Sequence, residues 1–539
     1  MPRVPTPYQE ITDGLDFKAA VRGIEANDLL PPRPEDKVAG QLGKRFTEGL
    51  QRRVEMGTYD PYPAYIVAAP KPSVATRPAA LLSLDDRVMF SALVAKLGPR
   101  IEDHLLGDGV VLWPRGGPTD KCWNEFEQSV LGSDWAYIVR ADVVGFYQYV
   151  DHERLADAIV TATGRRDVAN ALLHFLHRVM KARCGLPQGL VPSDALATLY
   201  LADLDFRMTQ EGFRYSRHGD DVRVVVPRRD EGRRALETME RELRRLGLAL
   251  NGSKTRIMGR KKYEREVLSL SGALDKAREE FVAAKVKGMK KDDERLLEAM
   301  KSAGQEQLGW DLFYHGRISL SDAIEKLRPS LKPTDVEWAE RVFADAVRRR
   351  PGTANAWTSR LFHQRLAWSL ARLAAGRSSA AVARVGGLLG AFPEETETLC
   401  SYLLALASKE PESVARQAER AVQRSYRTEW ELAWTVRVLV RVPEHVSERT
   451  VRVLKKTLAA PHGRWLAAVE IVKLLAARGE LDRETLAAVR SMSPAVFRGD
   501  LVVAARYMAS TTEWAEGYVK AAKSERVQAV LARHAEAGW

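Results

Sequence analysis

The hydrophobic pattern changes character twice along the chain. Up to about residue 260, stretches of helical periodicity alternate with short apolar runs bounded by Gly, Pro and Asp. The runs at 64–69, 136–144 and 222–226 have the length and composition of strands, which predicts an α+β domain over 1–260. From 261 to 332 such runs disappear and Lys, Glu and Arg dominate. This segment predicts charged helices, and its cluster Lys285, Lys287, Lys290 and Lys291 suits either a solvated face or a nucleic-acid contact. After Pro333, Leu, Ala, Val and Arg recur at helical spacing, with stops at Phe392-Pro393, Glu410-Pro411, Val442-Pro443, Pro461-His462-Gly463 and Gly479-Glu480. Ser413, Ser447 and Asp482 are placed to cap the helices that follow. Pro411 and Pro443 lie 32 residues apart, and Ser447 and Asp482 lie 35 apart. Residues 333–539 therefore predict stacked helix pairs, an α-solenoid with an extended surface for a partner, although a plain helical bundle also satisfies the periodicity.

Composition narrows the classes of function. A chain of 539 residues exceeds one compact core. Its three cysteines, Cys122, Cys184 and Cys400, are too scattered for a disulfide framework or a thiolate zinc site, which points to a reducing, cytoplasmic setting. No uninterrupted apolar stretch reaches membrane-spanning length, so no membrane partner is expected. Lys and Arg number 83 against 71 Asp and Glu, a net charge of +12 that favours a polyanionic partner. Divided at Pro333, the chain carries +4 before the cut (52 basic, 48 acidic) and +8 after it (31 basic, 23 acidic), so the helical tail is the more basic part.

The chemistry is concentrated between Arg140 and Thr255. An apolar run leads into Asp142-Val143-Val144-Gly145-Phe146-Tyr147, placing a carboxylate where a buried strand ends in a turn. Asp220-Asp221 falls between two strand-like segments, as at a hairpin tip, although such pairs are common in plain turns. Three aspartates supply the hard oxygen ligands that two Mg2+ ions need, with coordination positions left for phosphates and water. Such a pair of ions clamps the attacking and leaving oxygens of a phosphoryl displacement.

Two further segments give the pattern its specificity: Gly185-Leu186-Pro187-Gln188-Gly189 with Leu199-Tyr200-Leu201-Ala202-Asp203-Leu204-Asp205, and Leu246-Gly247-Leu248-Ala249-Leu250-Asn251-Gly252-Ser253-Lys254-Thr255. In order and spacing these resemble motifs A to D of a reverse transcriptase palm. Upstream, Thr76-Arg77-Pro78, Leu84-Asp85-Asp86-Arg87-Val88 and Trp113-Pro114-Arg115-Gly116 are similar to the fingers of bacterial reverse transcriptases. The resemblance implies an α+β right-hand polymerase: fingers and palm at 1–260, a helical thumb or connector at 261–332, and an all-α HEAT-like helical-repeat domain at 333–539.

It also implies roles. Asp142, Asp220 and Asp221, with Val143 beside the first, match the metal-binding set for two Mg2+ ions, with Mn2+ as an alternative. Tyr147 matches the bulky residue beneath the incoming sugar that disfavours a 2′-OH; as a bare residue it reads equally as a core aromatic. Gln188 and Gly189 match the loop supporting nucleotide and template. Arg77, and less closely Lys71, match basic residues meeting the triphosphate. Lys254 matches a proton donor to the leaving pyrophosphate, where a solvated surface lysine is the plain alternative. His218-Gly219 departs from the pattern, since most reverse transcriptases place an aromatic followed by Ala or Val before the two aspartates.

A palm joined to a helical-repeat tail resembles the abortive-infection and unknown-group, defence-associated reverse transcriptases of bacteria. That implies dNTPs, an RNA template that is a structured non-coding RNA, a DNA product and a role against phage, with oligomers occurring among the relatives. Two other readings stay open: a template-independent or protein-primed DNA polymerase on the same palm, with Tyr59 or Tyr65 among the candidate primers, and a nucleic-acid-binding scaffold with an inactive palm. The last conflicts with the intact set Asp142, Gln188, Asp220 and Asp221.

Overall fold

The computed structural model describes residues 6–24, 26–71, 73–105, 110, 111, 126, 129, 130, 135–264, 320–348, 356–424, 427–459 and 463–522. The Lys285–Lys291 cluster, Trp113-Pro114-Arg115-Gly116 and most of the expected thumb lie outside these residues. Two compact units result, each drawn from separate stretches of chain: one from Met1–Ala92, Pro187–Leu190 and Ile318–Trp539, the other from Leu93–Leu186 and Val191–Arg317. The division therefore does not follow the consecutive segments that the sequence suggests, because the N-terminal ninety residues share their interior with the helical tail.

Six strands are described: β1 (Tyr65–Lys71), β2 (Ser73–Leu81), β3 (Tyr137–Ala141), β4 (Arg214–His218), β5 (Asp221–Val226) and β6 (Arg256–Gly259). The last four form an antiparallel sheet in the order β4-β5-β3-β6. β5 is buried from Val222 to Val226, and β3 buries Ile138, Val139 and Ala141, as their apolar residues require. One face of the sheet carries the helix Arg229–Arg245, whose Gly232, Ala235, Thr238, Met239, Glu242 and Leu243 recur at helical spacing and are buried. Gly232 lets this helix approach closely: a Cβ there would stand 3.2 Å from Ile257 and 3.3 Å from Val139. Trp135, Ile138, Val225, Met258 and Tyr263 belong to the core around the sheet.

In the other unit, β1 and β2 form a two-stranded antiparallel hairpin with Ala69 opposite Arg77. The tail supplies a succession of helices in which Ala356–Ala375, Thr396–Leu406, Glu429–Val440, Trp465–Ala477 and Arg498–Met508 pack one upon the next. These begin 33 to 40 residues apart. Trp465–Ala477 is buried from Leu466 to Ala476, as an all-round apolar helix should be. Glu448–Ala459, flanking that row, buries only Thr450, Val451, Leu454 and Leu458, the stripe of a surface helix.

Helix starts follow local chemistry. Asp482 caps its helix through Thr485 N (2.7 Å), and Thr428 with Glu431 forms a reciprocal capping box. Ser447 bonds Glu419 and makes only a long contact to Thr450 N (3.4 Å). Ser413 is not a cap: its helix begins two residues earlier, with Pro411 in the first turn, where a missing N–H costs nothing.

The tail is bound to the N-terminal segment by buried charge. Arg33 pairs with Asp500, which also accepts from Lys473 (2.6 Å); Lys473 meets Glu470 (2.8 Å), and all four side chains are buried. Burial pushes Asp500 upward, but the adjacent Arg33 guanidinium and Lys473 ammonium outweigh it and hold the carboxyl at about 2. On β1, Tyr65 places its hydroxyl between Glu429 (2.9 Å), the Gly463 carbonyl and Trp465 N (3.0 Å).

Candidate active site

Asp142 follows β3 directly. The strand ends at Ala141 rather than continuing to 144, because the chain turns at Gly145, whose φ of 55° favours glycine. The carboxylate is 6% exposed and both its oxygens are engaged: Oδ2 accepts from Asn251 Nδ2 and Oδ1 from Lys254 Nζ, each at 2.9 Å. Backbone bonds fix this arrangement, from Asn251 N to Asp142 O (2.7 Å) and from Val144 N to Ala249 O (2.9 Å), with Val143 bridged to Leu250. Lys254 thus reaches from the segment after the long helix onto the first carboxylate.

Asp220 and Asp221 occupy the tip of the β4–β5 hairpin. His218 pairs with Asp221, leaving Gly219-Asp220 as a two-residue turn whose glycine, at φ 60°, takes the position that such turns reserve for it. Burial, then the carboxylates of Asp221 and Asp142, push Asp220 up to about 7. That crowding of negative charge suits a cation. Among the described residues no three His, Cys, Asp or Glu side chains are drawn into a closed metal cage; Lys254 holds a positive charge against Asp142 instead. Asp142, Asp220 and Asp221, all hard oxygen donors, fit a divalent ion of the kind reverse transcriptases use. Bound there, it would polarise phosphoryl oxygens and stabilise the charge they develop.

The support beneath the hairpin was not assigned from the sequence. Asp205, fully buried, accepts from Tyr215 Oη (2.9 Å) and from Arg217 Nε (2.8 Å) and Nη2 (2.5 Å), and Arg217 Nη1 donates to the Gly219 carbonyl (3.0 Å). A buried, fully bonded ion pair thereby fixes the turn that carries Asp220. Arg223 on β5, also fully buried, lies 3.6 Å from Asp221 and over the ring of Phe126. His218 lies 6.0 Å, centroid to centroid, from the same ring, in a tilted arrangement.

Tyr147 is half-buried and its hydroxyl donates to Asp194 Oδ1 (2.5 Å), so the ring is set by the helix Val191–Tyr200; neighbouring Phe146 is the core aromatic. Gln188 and Gly189 belong to the unit of β1 and β2. Gln188 bridges Ala79, its carbonyl accepting from Ala80 N (3.1 Å). Arg77 is exposed on β2, and Lys71 is half-buried at the end of β1, beside a register shift. Tyr59, 3% exposed, bonds Asp86 (2.7 Å), and Tyr65 is engaged as above, so both proposed priming hydroxyls are occupied. No helix among the described residues is long and apolar enough to cross a membrane.

No curated protein matches the chain. Residues 69–273 match the family model of the reverse transcriptase (RNA-dependent DNA polymerase), a span that includes Lys71, Arg77, the three aspartates, Tyr147, Gln188, Gly189 and Lys254. The fold of the four-stranded sheet, with aspartates after β3 and at the β4–β5 turn, is that of a polymerase palm. The chain thus carries a reverse transcriptase domain and is an RNA-directed DNA polymerase, a nucleotidyltransferase.

Proposed function

We propose that this enzyme is Mg2+-dependent and copies a structured non-coding RNA into DNA in bacterial defence against phage. The convergence of Asn251 and Lys254 on Asp142, beside a hairpin that gathers Asp220 and Asp221, carries the catalytic part of this reading. Asp142, Asp220 and Asp221, with Val143 beside them, would hold the Mg2+ ions. Lys254 Nζ carries the proton that the leaving pyrophosphate oxygen needs. Tyr147, held by Asp194, presents its ring to the sugar, while Gln188 with Gly189 supports the nucleotide and Arg77 and Lys71 meet its phosphates.

The defence role rests on architecture: a palm domain joined to a HEAT-like array of helices. The net positive charge after Pro333 suits phosphate contacts with folded RNA. The test is to purify the enzyme from its native host, with the Asp220→Asn/Asp221→Asn variant beside it, and sequence the co-purifying RNA and DNA. A specific RNA with complementary DNA, present only in the wild type, is expected. Random or homopolymeric DNA without a matching RNA would replace templated with untemplated synthesis, and bound RNA without DNA in either sample would leave a scaffold.

A further inference from the structure

Asn27 lies outside every motif described above and outside residues 69–273, yet its side chain is 7% exposed and every polar atom of it is used. Nδ2 donates to the Ala80 carbonyl of β2 (2.9 Å) and to the Gln188 carbonyl (3.1 Å), and Oδ1 accepts from Leu29 N (2.9 Å). An amide carries two donor hydrogens, so these bonds fill its donor capacity and define its orientation. The adjacent backbone follows, with Asp28 N reaching the Gly189 carbonyl (3.3 Å). Gly189 is correspondingly tight: at φ 90°, a Cβ there would come within 2.3 Å of Asn27 Oδ1. The same segment is gripped by the helical tail, through Trp430 Nε1 to the Leu29 carbonyl (2.7 Å) and Arg437 to the Pro32 carbonyl.

We propose that Asn27 is a positioning residue for nucleotide binding: it clips the Gln188-Gly189 loop to strand β2, and Trp430 makes the helical tail part of that clip. This rests on the proposed role of the Gln188 loop. A buried amide joining two backbone carbonyls cannot be replaced by solvent, so its loss leaves the Gln188 carbonyl held to β2 by the Ala80 N–H alone and lets the Gln188 side chain shift. Binding geometry then suffers before chemistry does, because Asn27 touches neither nucleotide nor carboxylates.

The test compares steady-state incorporation of dTTP on a DNA-primed poly(rA) template by the full-length wild type, Asn27→Ala, Trp430→Phe and Gln188→Ala, each checked by thermal melting. Asn27→Ala is expected to raise the dTTP KM about tenfold with kcat within about twofold, tenfold being about 1.4 kcal/mol. Trp430→Phe, which keeps an aromatic ring but loses the indole N–H donor, should move KM in the same direction by a smaller factor. A folded Asn27→Ala enzyme with lowered kcat and unchanged KM would show a merely structural residue and overturn the proposal. Should Asn27→Ala fail to fold, Trp430→Phe decides alone, and an unchanged KM there overturns it equally. If Gln188→Ala leaves KM unmoved, the loop's role itself is wrong and the clip falls with it; if Gln188→Ala raises KM while Asn27→Ala does not, only the clip fails.

Discussion

The two units are closed by bonds of very different reach along the chain. Around the carboxylates, the Asp205–Arg217 pair spans 12 residues and the Asp142–Lys254 pair 112. In the other unit, Tyr65 meets Glu429 across 364 residues and Arg33 meets Asp500 across 467. The sheet that carries the aspartates is thus assembled from one region of chain. The β1–β2 hairpin instead has its own β1 side chain, Tyr65, bonded to helices near residues 429 and 465, so the tail is a structural partner of β1 rather than an appendage.

This difference predicts opposite signatures for mutations in the two units. Asp220→Asn with Asp221→Asn should reduce nucleotide incorporation to background while the melting temperature holds or rises, since crowded negative charge is removed; retained incorporation would sink the carboxylate assignment. Asp500→Ala should do the reverse. It leaves Arg33 and Lys473 buried without their shared carboxylate and should cost about 3–5 kcal/mol in denaturant unfolding, with the chemistry of surviving molecules unchanged. A loss below about 1 kcal/mol would show that the tail is not held by this network.

Acid separates the units further. Asp500 titrates at about 2 in the folded protein against 3.8 ordinarily, so its contribution is complete above about pH 4 and is lost as pH falls towards 2, by roughly 2 kcal/mol. The stability gap between wild type and Asp500→Asn should narrow between pH 6 and pH 3, and a constant gap would contradict the pairing. The smallest effect belongs to Tyr65→Phe, which removes the hydroxyl between Glu429 and Trp465 and should cost about 1 kcal/mol while DNA synthesis continues. Loss of synthesis with the fold intact would return Tyr65 to consideration as a primer.

The segments that carry the aspartates, the Gln188 loop and Lys254 stand out in the sequence because each is a short motif whose residues are close together, and they fall within the matched span. Their supports stand out less. Asp194 and Asp205 lie in ordinary helices, and nothing in their neighbours announces Tyr147 or Arg217 as partners. Strands β2 and β6 escaped notice for local reasons: β2 contains Pro78 and little β-branched sequence, and β6 is four residues long. The tail's helices were legible from periodicity, whereas their attachment to Arg33, Leu29 and Tyr65 was not, because pairings across hundreds of residues leave no local pattern. Ser413 shows the usual error at a boundary, with Pro411 starting the helix earlier than a hydroxyl suggested.

The Arg33–Asp500 pair also sets an order of events during synthesis. Ribosomes add roughly 5–20 residues per second, so Arg33 waits on the order of a minute for its partner. The stretch from Leu93 to Leu186 and from Val191 to Arg317 is complete well before that moment and can fold first. A nascent or prematurely terminated chain then carries its three aspartates while the β1–β2 hairpin still lacks Glu429 and Trp465, and Arg33 still lacks Asp500. The β1–β2 hairpin is therefore made several hundred residues before the tail side chains that hold it, so its final bonds form late in synthesis.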